Sequence, residues 1–166
     1  MGEKITCCFT GHRPDKLPWG DWEKAPACQD LKRRLNQAVE SAYADGYRHF
    51  ICGMARGCDQ YFAEAVLAAK ADGAQDAQLC ALVPCPSQPD GWDEASVARY
   101  WALLAACDQL EVLEDHYSPG CMLRRNREML RRAQLLISVY DGTPGGTAAT
   151  VRLAEELGIT VLPLWM

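Results

Sequence analysis

The chain has 166 residues, of which 49% are hydrophobic and 23% charged, and 22 acidic against 17 basic residues give a formal net charge of −5. These proportions are typical of a globular domain and exclude a disordered, collagen-like or coiled-coil chain. No apolar run approaches the roughly 18 residues of a membrane span, and the N-terminus lacks a signal-peptide pattern. We therefore predict one domain over residues 1–166, located in the cytoplasm and without membrane contact.

The acidic balance of the chain also bears on its partners. Affinity for nucleic acid depends on neutralising phosphates with lysine and arginine, so a chain with a net charge of −5 is expected to bind nucleic acid poorly. A local basic site for a small anion is compatible with this charge. We therefore expect a small-molecule ligand in preference to DNA or RNA.

The chain contains nine cysteines, and neither a Cys-x-x-Cys pair nor a zinc-like Cys/His spacing occurs among them. We therefore predict no metal site. Four cysteines lie within apolar runs and are expected to be small buried side chains in a reducing compartment: Cys7, Cys8, Cys52 and Cys80. Three further cysteines lie in predicted loops or at their edges, where a reactive thiol is an alternative to a buried one: Cys58, Cys85 and Cys121.

Apolar runs alternate with amphipathic stretches along the chain. The predicted elements, in chain order, are strand Ile5–Thr10, helix Ala27–Asp45, strand Arg48–Cys52, helix Asp59–Ala71, strand Leu79–Val83, helix Glu94–Ala106, strand Gln109–Leu113, helix Met122–Ala133, strand Leu135–Tyr140, helix Thr147–Leu157 and strand Ile159–Leu164. The strands are continuous apolar runs, as expected for a sheet that is covered on both faces. This alternation predicts an α/β fold with a Rossmann-like, doubly wound and mostly parallel sheet flanked by helices.

Glycine-bearing loops follow three of the predicted strands: Gly11–Arg13, Gly53–Asp59 and Asp141–Thr147. In a parallel sheet these loops share the carboxyl edge, where ligands bind at the topological switch point. A glycine-rich turn that enters a helix presents free N–H groups that suit phosphate. Neither a Walker A motif nor Gly-x-Gly-x-x-Gly occurs. We therefore predict a ligand site that is neither a P-loop nor an ordinary dinucleotide fingerprint.

Each predicted site residue has a chemical role in this interpretation. Gly145, Gly146 and Thr147 are expected to bind phosphate through backbone N–H groups and a hydroxyl. The full predicted ligand-binding set is Gly11, His12, Arg13, Gly53, Arg56, Gly57, Asn126, Asp141, Gly145, Gly146 and Thr147. Asp59 or Asp141 either holds ribose hydroxyls or caps backbone N–H groups. The loop tryptophans either stack on a base or pack on the scaffold: Trp19, Trp22 and Trp92.

Four segments together resemble the YpsA-like family of the SLOG superfamily. They are Phe9–Pro14, Gly53–Asp59, Pro119–Met122 with Arg125-Asn126, and Tyr140–Gly142 with Gly145–Thr147. The resemblance implies a Rossmann-like domain that binds a nucleotide or nucleotide-derived ligand, such as an adenine nucleotide, ADP-ribose or an NAD-like molecule, in signalling or regulation. Apart from this ligand, the resemblance does not firmly imply any cofactor. It also leads us to expect a homo-oligomer.

Two alternatives follow from relatives within the same superfamily. The LOG phosphoribohydrolases carry Pro-Gly-Gly-x-Gly-Thr-x-x-Glu, whereas this chain has Ala148-Ala149 for the second Gly-Thr and Arg152 for the glutamate. A nucleotide N-glycosidase would therefore need another carboxylate, for which the candidates are Asp59, Glu64 and Asp141. The second alternative is a binder of single-stranded DNA that resembles DprA, against which the acidic balance argues.

Overall fold

The computed structural model describes residues 5–165 and contains one six-stranded sheet. The strands are β1 (Thr6–Gly11), β2 (His49–Cys52), β3 (Gln78–Val83), β4 (Gln109–Val112), β5 (Leu135–Val139) and β6 (Thr160–Pro163). The helices are α1 (Pro26–Ala44), α2 (Cys58–Ala71), α3 (Glu94–Ala106), α4 (Cys121–Arg132) and α5 (Gly146–Glu156). Every predicted boundary lies within one residue of the observed one, and the predicted fold class is confirmed. A turn of 3-10 helix over Pro14–Lys16 was not predicted.

Side chains of the strands alternate between two apolar cores, one on each face of the sheet. Phe9 and Phe50 pack with the helices α1, α2 and α3, and the ring of Phe9 stacks on Phe62 with centroids 4.8 Å apart. Cys8 and Ile51 face the opposite way, toward α4 and α5. Because both faces of the four inner strands are covered, these strands need apolar residues at successive positions. The edge strands β4 and β6 are mostly exposed, so the predicted burial on both faces does not extend to them.

The order of the strands, β4-β3-β2-β1-β5-β6, places a topological switch between β1 and β5. The chain first moves outward from β1 through β2 and β3 to β4, and then returns to β5 on the other side of β1. All neighbouring strands are parallel, with Gly11 opposite Val139 at the carboxyl end of the β1–β5 pair. Connections on the two sides of this point diverge, which leaves a crevice there for a ligand.

All nine cysteines are free thiols, and eight of them are buried. The predicted burial of Cys7, Cys8, Cys52 and Cys80 is confirmed, and Cys58, Cys85 and Cys121 are also buried. Burial raises the pKa of Cys8 to about 12 and that of Cys58 well above its ordinary value. A thiolate is the reactive form of cysteine, so this burial argues against a reactive thiol at Cys58.

None of the helices within residues 5–165 combines the length and the apolar composition that crossing a membrane requires.

Candidate functional site

A cavity of about 330 Å³ opens at the carboxyl ends of β1 and β5. Its volume lies within the roughly 300–1,000 Å³ of typical small-molecule sites. The lining comes from the β1 end and the turn that follows it, from the β2–α2 loop and α2, and from the first turns of α4 and α5. The lining residues are Thr10, Gly11, His12, Arg13, Asp15, Lys16, Ala55, Asp59, Met122, Leu123, Arg125, Asn126, Gly146 and Thr147.

Of the helices that begin at this edge of the sheet, α2, α4 and α5 contribute residues to the lining of the cavity. Their N-cap residues are Gly57, Gly120 and Gly145, and none of the three supplies a side-chain cap. By contrast, α3 begins away from the cavity, and its N-cap Asp93 accepts a hydrogen bond from the Ser96 N–H at 3.2 Å. Uncapped first turns leave N–H groups and positive dipole ends available, which favours an anion in the cavity.

Two glycines of the site differ in what they do for the backbone. Gly57 has a φ of +88°, and a Cβ there would lie 2.8 Å from the carbonyl oxygen of His12. The adjacent Cys58 N–H donates to that same oxygen at 3.1 Å, so Gly57 allows the β1 and β2 loops to pack together. A Cβ at Gly146 would meet nothing within 4 Å. Gly146 therefore leaves open space at the start of α5 instead of relieving a clash.

Arg125 is a buried cation, 3% exposed, that lines the cavity. Its Nη1 donates to the Gly53 carbonyl oxygen at 2.9 Å, and its Nε donates to Asn126 Oδ1 at 2.9 Å. A Cβ at position 53 would lie 2.0 Å from that Nη1, so only a glycine leaves room for the guanidinium. Burial lowers the pKa of Arg125, and the negative charge of Asp59 acts in the opposite direction. The burial of an arginine beside the cavity favours an anionic ligand.

Asn126 and Thr150 connect α4 to the beginning of α5. The Asn126 amide nitrogen donates to Thr150 Oγ1 at 2.9 Å, and the Thr150 hydroxyl donates to the Gly146 carbonyl oxygen at 2.8 Å. Together with the bond from Arg125, this chain of hydrogen bonds fixes the first turn of α5 relative to the buried guanidinium. The positions of the Arg125 guanidinium and of the first turn of α5 are thus linked by side-chain hydrogen bonds.

Asp59 places a buried carboxyl group in the cavity wall. It is 7% exposed, and its Oδ2 accepts the Ala55 N–H at 3.1 Å. Burial raises the pKa of Asp59, while Arg125 and Arg13 partly offset this effect. A carboxyl group with a raised pKa next to a cavity is suited to holding a ligand hydroxyl or to proton transfer.

His12 and Asp141 form a pair at the edge of the site. His12 is 2% exposed, and its Nε2 lies 3.0 Å from Asp141 Oδ1 and 3.1 Å from the Asp141 backbone nitrogen. A neutral Nε2 accepts that N–H, whereas a protonated Nε2 donates to the carboxylate. Hydrogen bonds from Thr143, and then from His12, hold the pKa of Asp141 well below its ordinary value. The pair anchors the β5–α5 loop to the end of β1.

The two carboxyl groups, of Asp59 and Asp141, are expected to give the stability opposite dependences on pH. The raised pKa of Asp59 means that its ionisation costs stability as the pH rises, so Asp59→Asn should gain relative to wild type from about pH 4 to about pH 7. The lowered pKa of Asp141 means that its carboxylate stabilises the fold at pH values above the ordinary pKa of an aspartate. Asp141→Asn should therefore lose more stability at pH 7 than at about pH 3. Urea unfolding at each pH measures both differences, and slopes of the same sign would contradict the assignment.

Several predicted site residues lie outside the cavity. Gly53 is covered by Arg125, and its carbonyl oxygen also accepts Gln88 Nε2 at 2.9 Å. Arg56 instead pairs with Asp21 at 3.0 Å, in a separate cleft that Gly57 also lines. Residue Glu64, a predicted catalytic candidate, pairs with Arg99 at 2.7 Å and does not reach the cavity. The structure therefore divides the predicted set between two regions, and four predicted residues line neither of them: Gly53, Glu64, Asp141 and Gly145.

The predicted loop tryptophans do not line the cavity. Trp19 is buried and donates from Nε1 to Tyr61 Oη at 3.2 Å, and Trp92 packs edge-on against Tyr100 with centroids 5.4 Å apart. Trp22 is 64% exposed. Of the two roles considered for Trp19 and Trp92, the structure shows packing on the scaffold.

Sequence reasoning missed Arg125 and Lys16 as residues of the site. Arg125 belongs to the Arg125-Asn126 segment already singled out, so a signal for it was present in the sequence. Lys16 follows Arg13 by three residues in a loop with no strong pattern, and no signal marked it. In the structure the Lys16 ammonium donates to the Pro144 carbonyl oxygen at 2.9 Å, at the cavity mouth.

The fold and the cavity together define a class of protein: a Rossmann-like α/β domain with a cavity lined by three cations at its topological switch point. The model of the YspA SLOG family matches residues 7–156, and the chain belongs to this family. The resemblance that the sequence motifs carried is thereby confirmed.

Curated relatives are distant and without an assigned activity in their names. The chain is 23% identical over 129 residues to a UPF0398 protein of Halalkalibacterium halodurans, covering 76% of this chain and 68% of that protein. It is 24% identical over 119 residues to a UPF0398 protein of Shouchella clausii, covering 70% of this chain and 63% of that protein. It is 25% identical over 146 residues to the SPbeta prophage-derived protein YoqJ of Bacillus subtilis, covering 80% of this chain and 85% of that protein.

Solved structures of DNA processing protein A share the fold. The Helicobacter pylori protein, whose structure concerns its single-stranded DNA binding mode, matches with a TM-score of 0.63 and 14% identity. The Streptococcus pneumoniae protein matches with a TM-score of 0.65 and 12% identity. The match covers 97% and 96% of this chain but only 65% and 50% of those chains. At this level of identity the likeness establishes the fold alone.

Proposed function

We propose that this protein binds a phosphate-bearing nucleotide or nucleotide-derived ligand, such as an adenine nucleotide, ADP-ribose or an NAD-like molecule, in signalling or regulation. The observation that carries the proposal is the cavity at the β1–β5 switch point, which is lined by both the uncapped start of α5 and a buried arginine, Arg125. Free N–H groups and a desolvated cation that line one cavity are complementary to phosphate. The free cysteines fit a reducing compartment, which supports a location in the cytoplasm.

The ligand is expected to stabilise the fold. AMP, ADP, NAD and ADP-ribose can be compared by thermal unfolding of the purified chain. A ligand at about 100 times its dissociation constant contributes about 2.7 kcal/mol. For a chain of this size that energy raises the unfolding midpoint by about 5–10 °C. A panel without any shift, confirmed by calorimetric titration, would contradict the proposal.

The variant Gly146→Asp is expected to abolish this ligand-induced shift. A Cβ at position 146 has open space, and an acid in the first turn favours the helix dipole, so the variant should fold with an unchanged or higher midpoint. Its carboxylate would occupy and repel the phosphate position. Asn36→Asp adds the same charge at an exposed position of α1 and should retain the shift. Loss of the shift in both variants would point to net charge instead of the site.

Nucleotide N-glycoside hydrolysis is a second candidate function. The observation in its favour is Asp59, a cavity-lining carboxyl group whose pKa is raised by burial. A group of this kind can donate a proton to a departing base. Chromatography of the same ligand incubations separates the two functions, because hydrolysis releases free adenine or nicotinamide and binding alone does not.

Binding of single-stranded DNA is a further candidate, favoured by the likeness to DNA processing protein A. The net charge of −5 argues against it, because affinity for a DNA strand depends on neutralising phosphates. A labelled oligonucleotide titrated at low salt decides this point. An affinity that falls steeply with added salt would favour DNA, and no binding would remove this candidate.

A further inference from the structure

The lysine and arginine residues that line the cavity share one property. Arg13, Lys16 and Arg125 all line it, and within residues 5–165 none of them has a carboxylate oxygen within 4 Å. Nine other lysine and arginine residues of this part of the chain pair with carboxylates, among them Arg99 and Arg132, each of which contacts two glutamates. The remaining four have no such partner and lie outside the cavity: Lys24, Arg34, Arg127 and Arg152. An acidic chain that leaves three cations unpaired around one cavity has an excess of positive charge at that place.

Arg13 is the N-cap, and Lys16 the last residue, of the turn of 3-10 helix that follows β1. The Lys16 N–H donates to the Arg13 carbonyl oxygen at 3.0 Å. Positions three apart in a 3-10 helix lie on the same side, which explains why both side chains line the same cavity. The turn therefore places two cations in the wall of the cavity.

The two cations contact different walls of the cavity. The Arg13 guanidinium donates to the sulfur of Met122 in the first turn of α4, and the Lys16 ammonium donates to the Pro144 carbonyl oxygen just before α5. A Cβ at Gly145 would lie 2.6 Å from the Lys16 nitrogen, so that nitrogen lies against the N-cap of α5. A thioether and a neutral carbonyl are weaker acceptors than a phosphate oxygen, so both cations can exchange these contacts for a ligand.

This arrangement provides two separate positions for negative charge. One combines Lys16 with the start of α5, and the other combines Arg13 with the start of α4. A ligand with one phosphate at α5 would leave the other position without an anion. The lining also contains the carboxyl groups of Asp15 and Asp59. When both carboxyl groups are ionised, the three cations of the lining exceed them by one positive charge.

Resting on the proposed function, we propose that the cavity selects ligands with two linked phosphoryl groups, either a nucleoside diphosphate or a dinucleotide-type pyrophosphate. Lys16 and the first turn of α5 bind one phosphoryl group, and Arg13 and the first turn of α4 bind the other. Because a single phosphate occupies the position formed by Lys16 and α5, Arg13 is the specificity-determining residue that binds the second phosphoryl group.

Calorimetric titration with AMP and with ADP tests this inference on the whole chain. Wild type is expected to bind ADP about tenfold more tightly than AMP, since one charge-assisted contact of about 1.4 kcal/mol changes a dissociation constant tenfold. Arg13→Met should bring the ADP-to-AMP ratio close to one while leaving AMP affinity within about twofold of wild type, because AMP places its one phosphate at α5. Arg127→Met removes the same charge from an exposed arginine outside the cavity and should keep the wild-type ratio.

The outcomes separate this inference from the proposed function. Equal affinities of wild type for AMP and ADP would overturn the diphosphate selectivity and leave nucleotide binding intact. A wild-type ratio in Arg13→Met would overturn the role of Arg13. Binding of neither nucleotide, with ADP-ribose and NAD also inactive, would overturn both the selectivity and the proposed function.

Discussion

Arg125→Met is expected to lower the free energy of unfolding by about 3 kcal/mol and to abolish nucleotide binding. The guanidinium is 3% exposed and donates to the Gly53 carbonyl oxygen at 2.9 Å. Methionine fills much of the same space but cannot donate a hydrogen bond, so the buried Gly53 carbonyl oxygen loses a donor. Asp59 also loses the positive charge that most favours its ionised form. Arg125 is also the only buried lysine or arginine within residues 5–165, so a ligand would lose a cation that is shielded from solvent.

Arg124→Met is the matched control for this experiment, because the two arginines are neighbours on α4. The Arg124 side chain is 45% exposed and pairs with Glu114 at 2.7 Å. An exposed pair contributes at most about 1 kcal/mol, so this variant should retain both stability and binding. Urea unfolding and titration with ADP measure the two effects. Wild-type stability and affinity in Arg125→Met would show that the buried guanidinium supports neither the fold nor the site.

Gly57→Ala is expected to lower the free energy of unfolding by about 3–4 kcal/mol, from two separate causes. Its φ of +88° is strained for any residue with a Cβ. In addition, that Cβ would lie 2.8 Å from the His12 carbonyl oxygen and 3.1 Å from the Arg13 Cα, and backbone atoms cannot move aside cheaply. The β1 and β2 loops would have to separate, which displaces Arg13 from the cavity as well.

Gly73→Ala isolates the conformational part of this cost. Gly73 also has a positive φ, +121°, but a Cβ there would meet nothing within 4 Å. Its replacement should therefore cost only the strain, about 1–2 kcal/mol. Urea unfolding of both variants gives the difference. If Gly57→Ala were no more destabilising than Gly73→Ala, close packing of the two loops would not be what requires a glycine at position 57.

The boundaries of the helices and strands were predictable because they depend on local patterns. Helix α3 has the predicted bounds Glu94–Ala106, and Asp93 caps it as an N-terminal aspartate should. The buried strands were recognisable from continuous apolar runs of four to six residues. A parallel sheet also places every strand-to-helix loop at one edge, so Gly11 and Gly146 could be expected near each other before any tertiary information was used.

Side-chain directions within those loops were decided only by the tertiary structure. Gly57 turns the chain through a positive φ, and Arg56, just before it, projects to Asp21 and not into the cavity. Glu64 lies on the same helix as Asp59, but Arg99 of α3 holds it away from the site. Such pairings depend on which helices pack together, and no local pattern contains that information.

The sequence by itself determined the α/β class, the positions of the elements and the glycine-rich edge, because periodicity, capping and turn chemistry act between residues close in the chain. The tertiary structure decided the strand order β4-β3-β2-β1-β5-β6 and thereby placed the switch point between β1 and β5. It also decided that Arg13, Lys16 and Arg125, up to 112 residues apart, share one cavity, because their meeting depends on the return of β5 to the side of β1. Charge balance over the whole chain cannot reveal this local excess of cations, since the fold brings three cations but only two carboxyl groups to the cavity although acidic residues outnumber basic ones in the sequence.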